Sequence, residues 1–263
     1  MRRVHFATAT WFASMAMPAP WRFWVRDGRS ATPEIIHHDE RLLIVDKPPG
    51  MLTTAPTPTE PCLVNWVRER FPTLHPHATS RLDSQVSGLV TFALDSEVNR
   101  HLLDARDAGT YERIYLGITL CPLTVGRMEW SWPLSIDPTN PHRRVARPGR
   151  GERDALTLVE VAARAPGATL LRLRPKTGRT HQLRVHAAEA GAPLFGDSLY
   201  QAPRRQVLPD GTVVSARRVM LHCARVSFPG YASDTRVQVE APVGPDMVSV
   251  WRALGGDAVD LQP

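Results

Sequence analysis

The chain has 263 residues and 43% hydrophobic content, which is enough for an ordinary core in one large domain or two small ones and excludes disorder throughout. Its formal charge of +6 favours a polyanionic partner, because clustered cations release counterions from phosphate backbones. Lys47 and Lys176 are the only lysines, so nearly all positive charge is arginine, whose planar fork suits phosphate and base recognition. Codon bias in a GC-rich genome would give the same arginine content.

The three cysteines, at positions 62, 121 and 223, lie far apart and form no C-x-x-C pair. This pattern argues against a disulfide framework and a zinc site, so we expect a reducing, cytoplasmic location and no metal. No apolar run approaches the roughly 20 residues that a membrane span requires. We therefore expect a soluble protein that does not associate with a membrane, and we expect a monomer.

The first 26 residues contain no acidic residue and resemble a targeting peptide only loosely, since Pro18 and Pro20 interrupt the apolar part. We interpret residues 1–34 as an N-terminal extension, with an upstream start codon as the alternative origin. From Ile35 onward the pattern becomes regular. Residues 35–38 and 42–45 are predicted to form a β-hairpin, and residues 61–71 a short helix.

Further along, residues 89–94 are typical of a strand, and a helix capped by Ser96 is predicted to end at Gly109. Residues 111–119 form the next predicted strand, and 120–153 an extended insertion with one or two short strands. Residues 156–162 and 169–174 are predicted to pair. The remaining elements are a helix over 181–190 capped by Thr180, strands over 219–228 and 236–240, and a helix over 247–254.

Strands outnumber helices in this pattern and do not alternate strictly with them. The prediction is therefore an α+β fold with a mixed, mainly antiparallel central sheet flanked by helices and loops. We assign residues 35–255 to this domain and 256–263 to a C-terminal tail.

Two segments carry candidate chemistry. Asp83 follows an arginine and precedes a Ser-Gly turn, where a lone aspartate serves either as a backbone cap or as a displayed catalytic carboxylate. The segment 176–186 (KTGRTHQLRVH) places cations and polar donors at a predicted helix start, which is typical either of a solvated basic turn or of an anion site. In the strand 111–119, alternation puts Tyr115 on the polar face, opposite Ile114 and Leu116.

Four motifs in order resemble the RluA-type family of pseudouridine synthases. They are residues 43–50 (LIVDKPPG), 81–89 (RLDSQVSGL), 112–117 (ERIYLG) and 177–186 (TGRTHQLRVH), and the pairs Gly196-Asp197 and Leu221-His222 continue the resemblance downstream. The similarity spans roughly residues 35–242. Residues 1–34 are too few for the small RNA-binding domain that often precedes this fold in the family.

The resemblance implies that Asp83 is the essential carboxylate that attacks a uridine of ribosomal or transfer RNA. Arg184 would pair with it and keep it ionised, and Tyr115 would stack on the flipped base. No cofactor is implied. The expected substrate-binding residues are Arg81, Arg113, Lys176, Arg179, Thr180, His181 and Gln182.

Two positions depart from the family pattern: Ser80 replaces the usual His, and Val86 replaces the usual Thr. We expect altered loop packing or substrate preference, with a degenerate paralogue as the alternative. Two other classes are open: an RNA-binding protein without activity, and a hydrolase that uses Asp83 as a glycosidase-type nucleophile. Glycosidases generally need a second carboxylate, and we interpret the nearest candidate, Asp197, as a structural cap of its turn.

Overall fold

The computed structural model describes residues 23–24, 30–57, 60–232 and 235–263. The strands are β1 Phe23–Trp24, β2 Ser30–Ala31, β3 Glu34–His38, β4 Leu42–Lys47, β5 His77–Ala78, β6 Ser87–Ala93, β7 Glu112–Thr119, β8 Arg127–Trp130, β9 Ser135–Ile136, β10 Arg144–Val145, β11 Thr157–Ala165, β12 Ala168–Pro175, β13 Arg205–Val207, β14 Val213–Ser215, β15 Leu221–Pro229 and β16 Arg236–Glu240. The helices are α1 Leu63–Arg70, α2 Ser96–Asp107, α3 Gln182–Glu189 and α4 Pro245–Ala253, with 3-10 turns at Ser198–Tyr200 and Ala258–Leu261.

Ten of these strands form one sheet. Its order is β3-β4-β6-β15-β7-β12-β11-β8, with β16 paired to β15 and β5 paired to β6. Every pairing in it is antiparallel except that between β6 and β15. The predicted α+β class with a mixed, mainly antiparallel sheet is therefore confirmed. None of the helices in the described part of the chain is long and apolar enough to span a bilayer.

Alternate residues of the central strands pack into two cores on opposite faces of the sheet. Tyr115 of β7 and Tyr111 just before this strand belong to one core, which α1 and α2 cover. Leu116 and Ile118 of the same strand belong to the other core, which α4 covers. The predicted alternation of β7 is correct, but its tyrosine face is buried because helices cover both sides of the sheet.

Some sequence-based details differ in the structure. Asp95, and not Ser96, caps α2: its carboxylate accepts a 2.9 Å hydrogen bond from the backbone N–H of Val98. Both residue types can cap a helix, but only Asp95 has the extended backbone that a cap needs.

In the predicted C-terminal tail, Leu261 is buried in the second core, and the indole of Trp251 donates to the backbone carbonyl of Asp257.

Lys47, at the end of β4, has no solvent exposure. Its ammonium donates to the carbonyls of Pro48 at 3.0 Å, Met51 at 2.9 Å and Ser84 at 3.4 Å. Burial lowers the pKa of Lys47 to about 7. This side chain ties the turn after β4 to the loop that carries Asp83.

The parallel contact between β6 and β15 depends on Gly88. A Cβ atom at this position would lie 2.4 Å from the carbonyl oxygen of Cys223, and the φ of +114° is itself unfavourable for other residues. We expect Gly88→Ala to lower the free energy of unfolding by more than about 3 kcal/mol, because strain and overpacking add. Urea unfolding measures this change. Gly191→Ala is the control, since Gly191 also has a positive φ but no atom within 4 Å of the added Cβ; equal losses in the two variants would contradict the prediction.

Candidate active site

Asp83, Tyr115 and Arg184 come together from three elements. Asp83 lies in the loop between β5 and β6, Tyr115 on β7 and Arg184 on α3. Nη1 of Arg184 donates a 2.9 Å hydrogen bond to Oδ2 of Asp83. All three residues line one cavity of about 70 Å³. The sequence separation between Asp83 and Arg184 is 101 residues, so only the fold brings them into contact.

The residues on either side of Asp83 are fixed by hydrogen bonds. The hydroxyl of Thr53 donates to the carbonyl of Leu82 at 2.8 Å and accepts from its N–H at 3.0 Å. The carbonyl of Ser84 accepts from the N–H of Gly50 at 2.6 Å as well as from Lys47. These anchors place the carboxylate at the cavity wall. A group held in this way loses little entropy when it reacts.

Arg184 binds a second carboxylate behind the first. Its Nε and Nη2 each donate a 2.7 Å hydrogen bond to Asp197, which is 1% exposed. The expectation that Asp197 caps its own turn is wrong, since the turn that follows has no side-chain cap bond and the carboxylate faces Arg184. Burial opposes the charge of Arg184, but Asp197 and Asp83 together raise the pKa of its guanidinium. This bidentate pair fixes the guanidinium plane and leaves Nη1 for Asp83.

His181 is a second neighbour of the Asp83 carboxylate. The prediction that Thr180 caps the helix is wrong, because His181 occupies the cap position with a left-handed φ of 57° and makes no side-chain cap bond. This backbone turns the imidazole inward: Nε2 lies 3.7 Å from Oδ2 of Asp83, and Nδ1 lies 2.8 Å from the hydroxyl of Tyr200. Burial lowers the pKa of His181, which favours the neutral ring.

The surroundings of this imidazole select one tautomer. If Nε2 carried no proton, its lone pair would face the acceptor oxygens of Asp83, which is unfavourable. An Nε2–H in the same place is attracted to these oxygens. The Tyr200 hydroxyl then donates to Nδ1 of His181 and accepts the 3.1 Å hydrogen bond from the N–H of Arg144. Burial raises the pKa of Tyr200 to about 12, so it keeps its proton. Asp83 therefore faces hydrogen-bond donors from both His181 and Arg184.

Tyr200 also packs under the guanidinium groups of two arginines, Arg184 at 5.2 Å and Arg143 at 5.5 Å from the ring centroid. Tyr200 is not among the site residues predicted from the sequence. The clue to Tyr200 in the sequence is its position three residues after Asp197. One 3-10 turn joins the two residues, so both side chains lie at Arg184.

The structure places the other predicted substrate-binding residues in different settings. Arg81, Arg113, Arg179, His181 and Gln182 line the cavity with Asp83. Lys176 is exposed and lines a neighbouring cavity, and Thr180 is exposed and lines neither. The side-chain amide of Gln182 already has hydrogen-bond partners within the protein. It donates to the carbonyl of Leu156 and accepts from the hydroxyl of Thr177 and the N–H of Arg179.

Tyr115 forms the apolar side of the cavity and is 5% exposed. Burial raises the pKa of its phenol well above the usual range, so the group is neutral. Val86, at one of the two unusual positions, lines the same cavity, and Ser80, at the other, is buried. The site thus presents a carboxylate held by an arginine next to a neutral aromatic ring. Such a pair can attack an electron-poor carbon while a flat base lies on the ring.

Residues 41–189 match the profile of a family described as RNA pseudouridylate synthase. A Pasteurella multocida protein described as dual-specificity RNA pseudouridine synthase RluA is 31% identical over 74% of this chain and 86% of its own length. A ribosomal large subunit pseudouridine synthase D of Xanthomonas campestris pv. campestris is 31% identical over 85% of this chain and 70% of its own. Among solved structures, human RNA pseudouridylate synthase domain containing 4 has a TM-score of 0.68 at 21% identity, covering 84% of this chain and 93% of that one; this likeness concerns the fold.

Proposed function

The chain belongs to the RluA-type family of pseudouridine synthases, and from this premise we propose that it converts a uridine of ribosomal or transfer RNA to pseudouridine with Asp83 as the nucleophile. The observation that carries the proposal is the 2.9 Å pair of Asp83 and Arg184 in a cavity walled by Tyr115. Residues 35–255 are the catalytic domain in this proposal. The enzyme needs no cofactor and acts as a cytoplasmic monomer.

The reaction breaks the bond between N1 of uracil and C1′ of ribose and forms a bond between C5 and the same C1′. The base must turn over while it is detached, and the proton on C5 must leave at the end. Asp83 either attacks C1′ or removes a ribose proton to give a glycal, and both routes use an ionised carboxylate. Arg184 orients that carboxylate, since its guanidinium is fixed on Asp197.

The target nucleotide must leave its stack to reach Asp83, at a cost of a few kcal/mol. Stacking on Tyr115 and contacts from the arginines of the cavity wall, Arg81, Arg113 and Arg179, offset this cost.

Release of tritium from RNA labelled at C5 of uridine tests the proposed function. We expect the wild-type protein to release tritium from ribosomal or transfer RNA without producing free uracil. A protein that only binds RNA would release neither, and a hydrolase would release free uracil while the tritium stayed on the base. Either of these two results would overturn the proposal.

The tautomer of His181 gives a separate prediction for Tyr200. Tyr200→Phe removes the donor to Nδ1, and one hydrogen bond of about 1 kcal/mol corresponds to a loss of kcat of roughly five- to tenfold, with KM little changed. Nitrogen-15 NMR of the His181 ring should show the Nε2–H form in the wild type and a mixture in the variant.

The matched control is Tyr231→Phe. The hydroxyl of Tyr231 also makes a partly buried hydrogen bond, which it donates to Asp39 at 2.9 Å, but Tyr231 lines neither cavity. It should leave kcat and the His181 signals unchanged. An unaltered His181 spectrum in Tyr200→Phe would contradict the role assigned to Tyr200.

A further inference from the structure

A larger cavity lies beside the candidate active site, where β7 and β12 separate. The pairing of these strands stops at Tyr115 and Leu173, and residues of both chains beyond this point line the cavity. The resulting cavity has a volume of about 250 Å³. Its wall includes Tyr111, Arg113, Arg174, Lys176, Arg225 and Gln238.

Some of the charges around this cavity are already compensated. Nε of Arg225 lies 2.8 Å from Glu240, and its Nη2 donates to the carbonyl of Pro263. Glu112, the acidic residue of the wall, lies 3.8 Å from Arg236. Neither Arg225 nor Glu112 is therefore left as an isolated charge at the cavity.

The remaining cations have few protein partners. Within the described residues, the side chains of Arg174 and Lys176 make no hydrogen bond or ion pair, and both are exposed. Arg113 donates from Nη2 to the carbonyl of Thr177 at 3.1 Å, while its buried Nε has no hydrogen-bond partner. Among the described residues of the wall, these three cations outnumber the acidic residue Glu112, which is paired with Arg236. Such an excess of positive charge favours binding of an anion.

Arg113 and Pro175 line both this cavity and the one that contains Asp83. Two adjacent nucleotides of a strand are joined by a single phosphate, so a strand with one base at Asp83 can place its next residue here. We propose that this cavity binds the nucleotide next to the target uridine, with its phosphate held by Arg113, Arg174 and Lys176. This inference rests on the proposed function. A phosphate alone would leave most of 250 Å³ unfilled, which favours a whole nucleotide.

The salt dependence of RNA binding tests the phosphate contacts. The probe is a fluorescein-labelled decauridylate, and its affinity is measured by fluorescence anisotropy over a range of NaCl concentrations. Each lost phosphate contact lowers the slope of log K against log salt by about 0.7 for a single strand. The double variant Arg174→Gln, Lys176→Gln loses the contact to one phosphate and should therefore have a slope shallower than the wild type by about 0.7.

The matched control is the double variant Arg205→Gln, Arg217→Gln. It removes the same charge from two exposed arginines that line neither cavity. We expect it to keep the wild-type slope. Equal slopes in all three proteins, equal losses in both variants, or no binding of decauridylate by the wild type would each overturn the proposal.

A second pair of variants tests occupancy of the cavity without changing charge. Gln238 is exposed on β16 and lines the cavity. Gln238→Trp should fill the space and weaken decauridylate binding at least fivefold, whereas Gln238→Ala should bind as the wild type does. Equal affinity of the two variants would show that no nucleotide enters.

These binding experiments separate the inference from the proposed function. If the wild type releases tritium but the cavity variants bind normally, the nucleotide site is wrong and the synthase remains. If the variants lose affinity as expected but the wild type releases no tritium, the site binds RNA in a protein that is not a synthase.

Discussion

Replacement of Asp83 by asparagine is expected to abolish pseudouridine formation, with a loss of kcat of roughly 10⁴-fold or more. The amide is similar in size but carries no charge and is a poor nucleophile. Arg184 keeps its two bonds to Asp197, so the free energy of unfolding should change by less than about 1 kcal/mol. RNA affinity should stay the same or rise, because an anion leaves a cleft that binds phosphates.

Tritium release, urea unfolding and RNA binding measure these three effects on one sample. Asp104→Asn is the matched control, since Asp104 is exposed on α2 and its carboxylate has no partner in the described part of the chain. It should retain full turnover. Pseudouridine formation that survives in Asp83→Asn would refute the assignment of the nucleophile while leaving family membership intact.

Arg184→Ala is expected to lower the free energy of unfolding by about 3 to 5 kcal/mol and to abolish turnover. The arginine is buried between Asp83 and Asp197, and its removal leaves the Asp197 carboxylate, which is 1% exposed, without a counterion. Arg41→Ala is the comparison for stability. Arg41 also makes a bidentate pair, with Asp95 at 2.6 and 3.0 Å, but at the surface, where solvent screens the charges and we expect a much smaller loss of stability than in Arg184→Ala.

A double variant separates the two roles of Arg184. Arg184→Ala with Asp197→Asn removes the unpaired buried charge, so we expect about 1 to 3 kcal/mol of the lost stability to return. Turnover should not return, because Asp83 still lacks its guanidinium. Full recovery of tritium release in the double variant would show that Arg184 acts through the fold and not on the carboxylate. A change of RNA affinity alone in either variant would reassign Arg184 to phosphate binding.

The sequence singled out Asp83, Tyr115 and Arg184, which the structure brings to one cavity, because their signals are local. The order of strands and helices, the Asp83 loop and the segment around Arg184 each follow from short patterns, and the family resemblance joined them to Tyr115. What the sequence does not contain is the partner of each group across the fold. Asp197 resembled a turn cap because an aspartate after a glycine usually caps a turn. Its true partner, Arg184, is 13 residues away on another element.

The helix start at His181 shows a second limit. A threonine before a helical pattern is a good cap by propensity, so Thr180 was the natural choice. The structure instead places His181 there in a left-handed conformation, which is uncommon for residues other than glycine. Contacts of the imidazole with Tyr200 and Asp83 accompany this conformation, and neither contact is visible in the local sequence. Tertiary contacts override propensity at this point.

The burial of Lys47 has a practical consequence for labelling. The sequence contains two lysines, and the Lys47 amine has no access to solvent, whereas the Lys176 amine is exposed at the larger cavity. An amine-reactive fluorophore will therefore modify the folded protein at one side chain, apart from any terminal amine. A fluorophore on Lys176 of the unaltered sequence would thus report on the cavity where we expect RNA to bind.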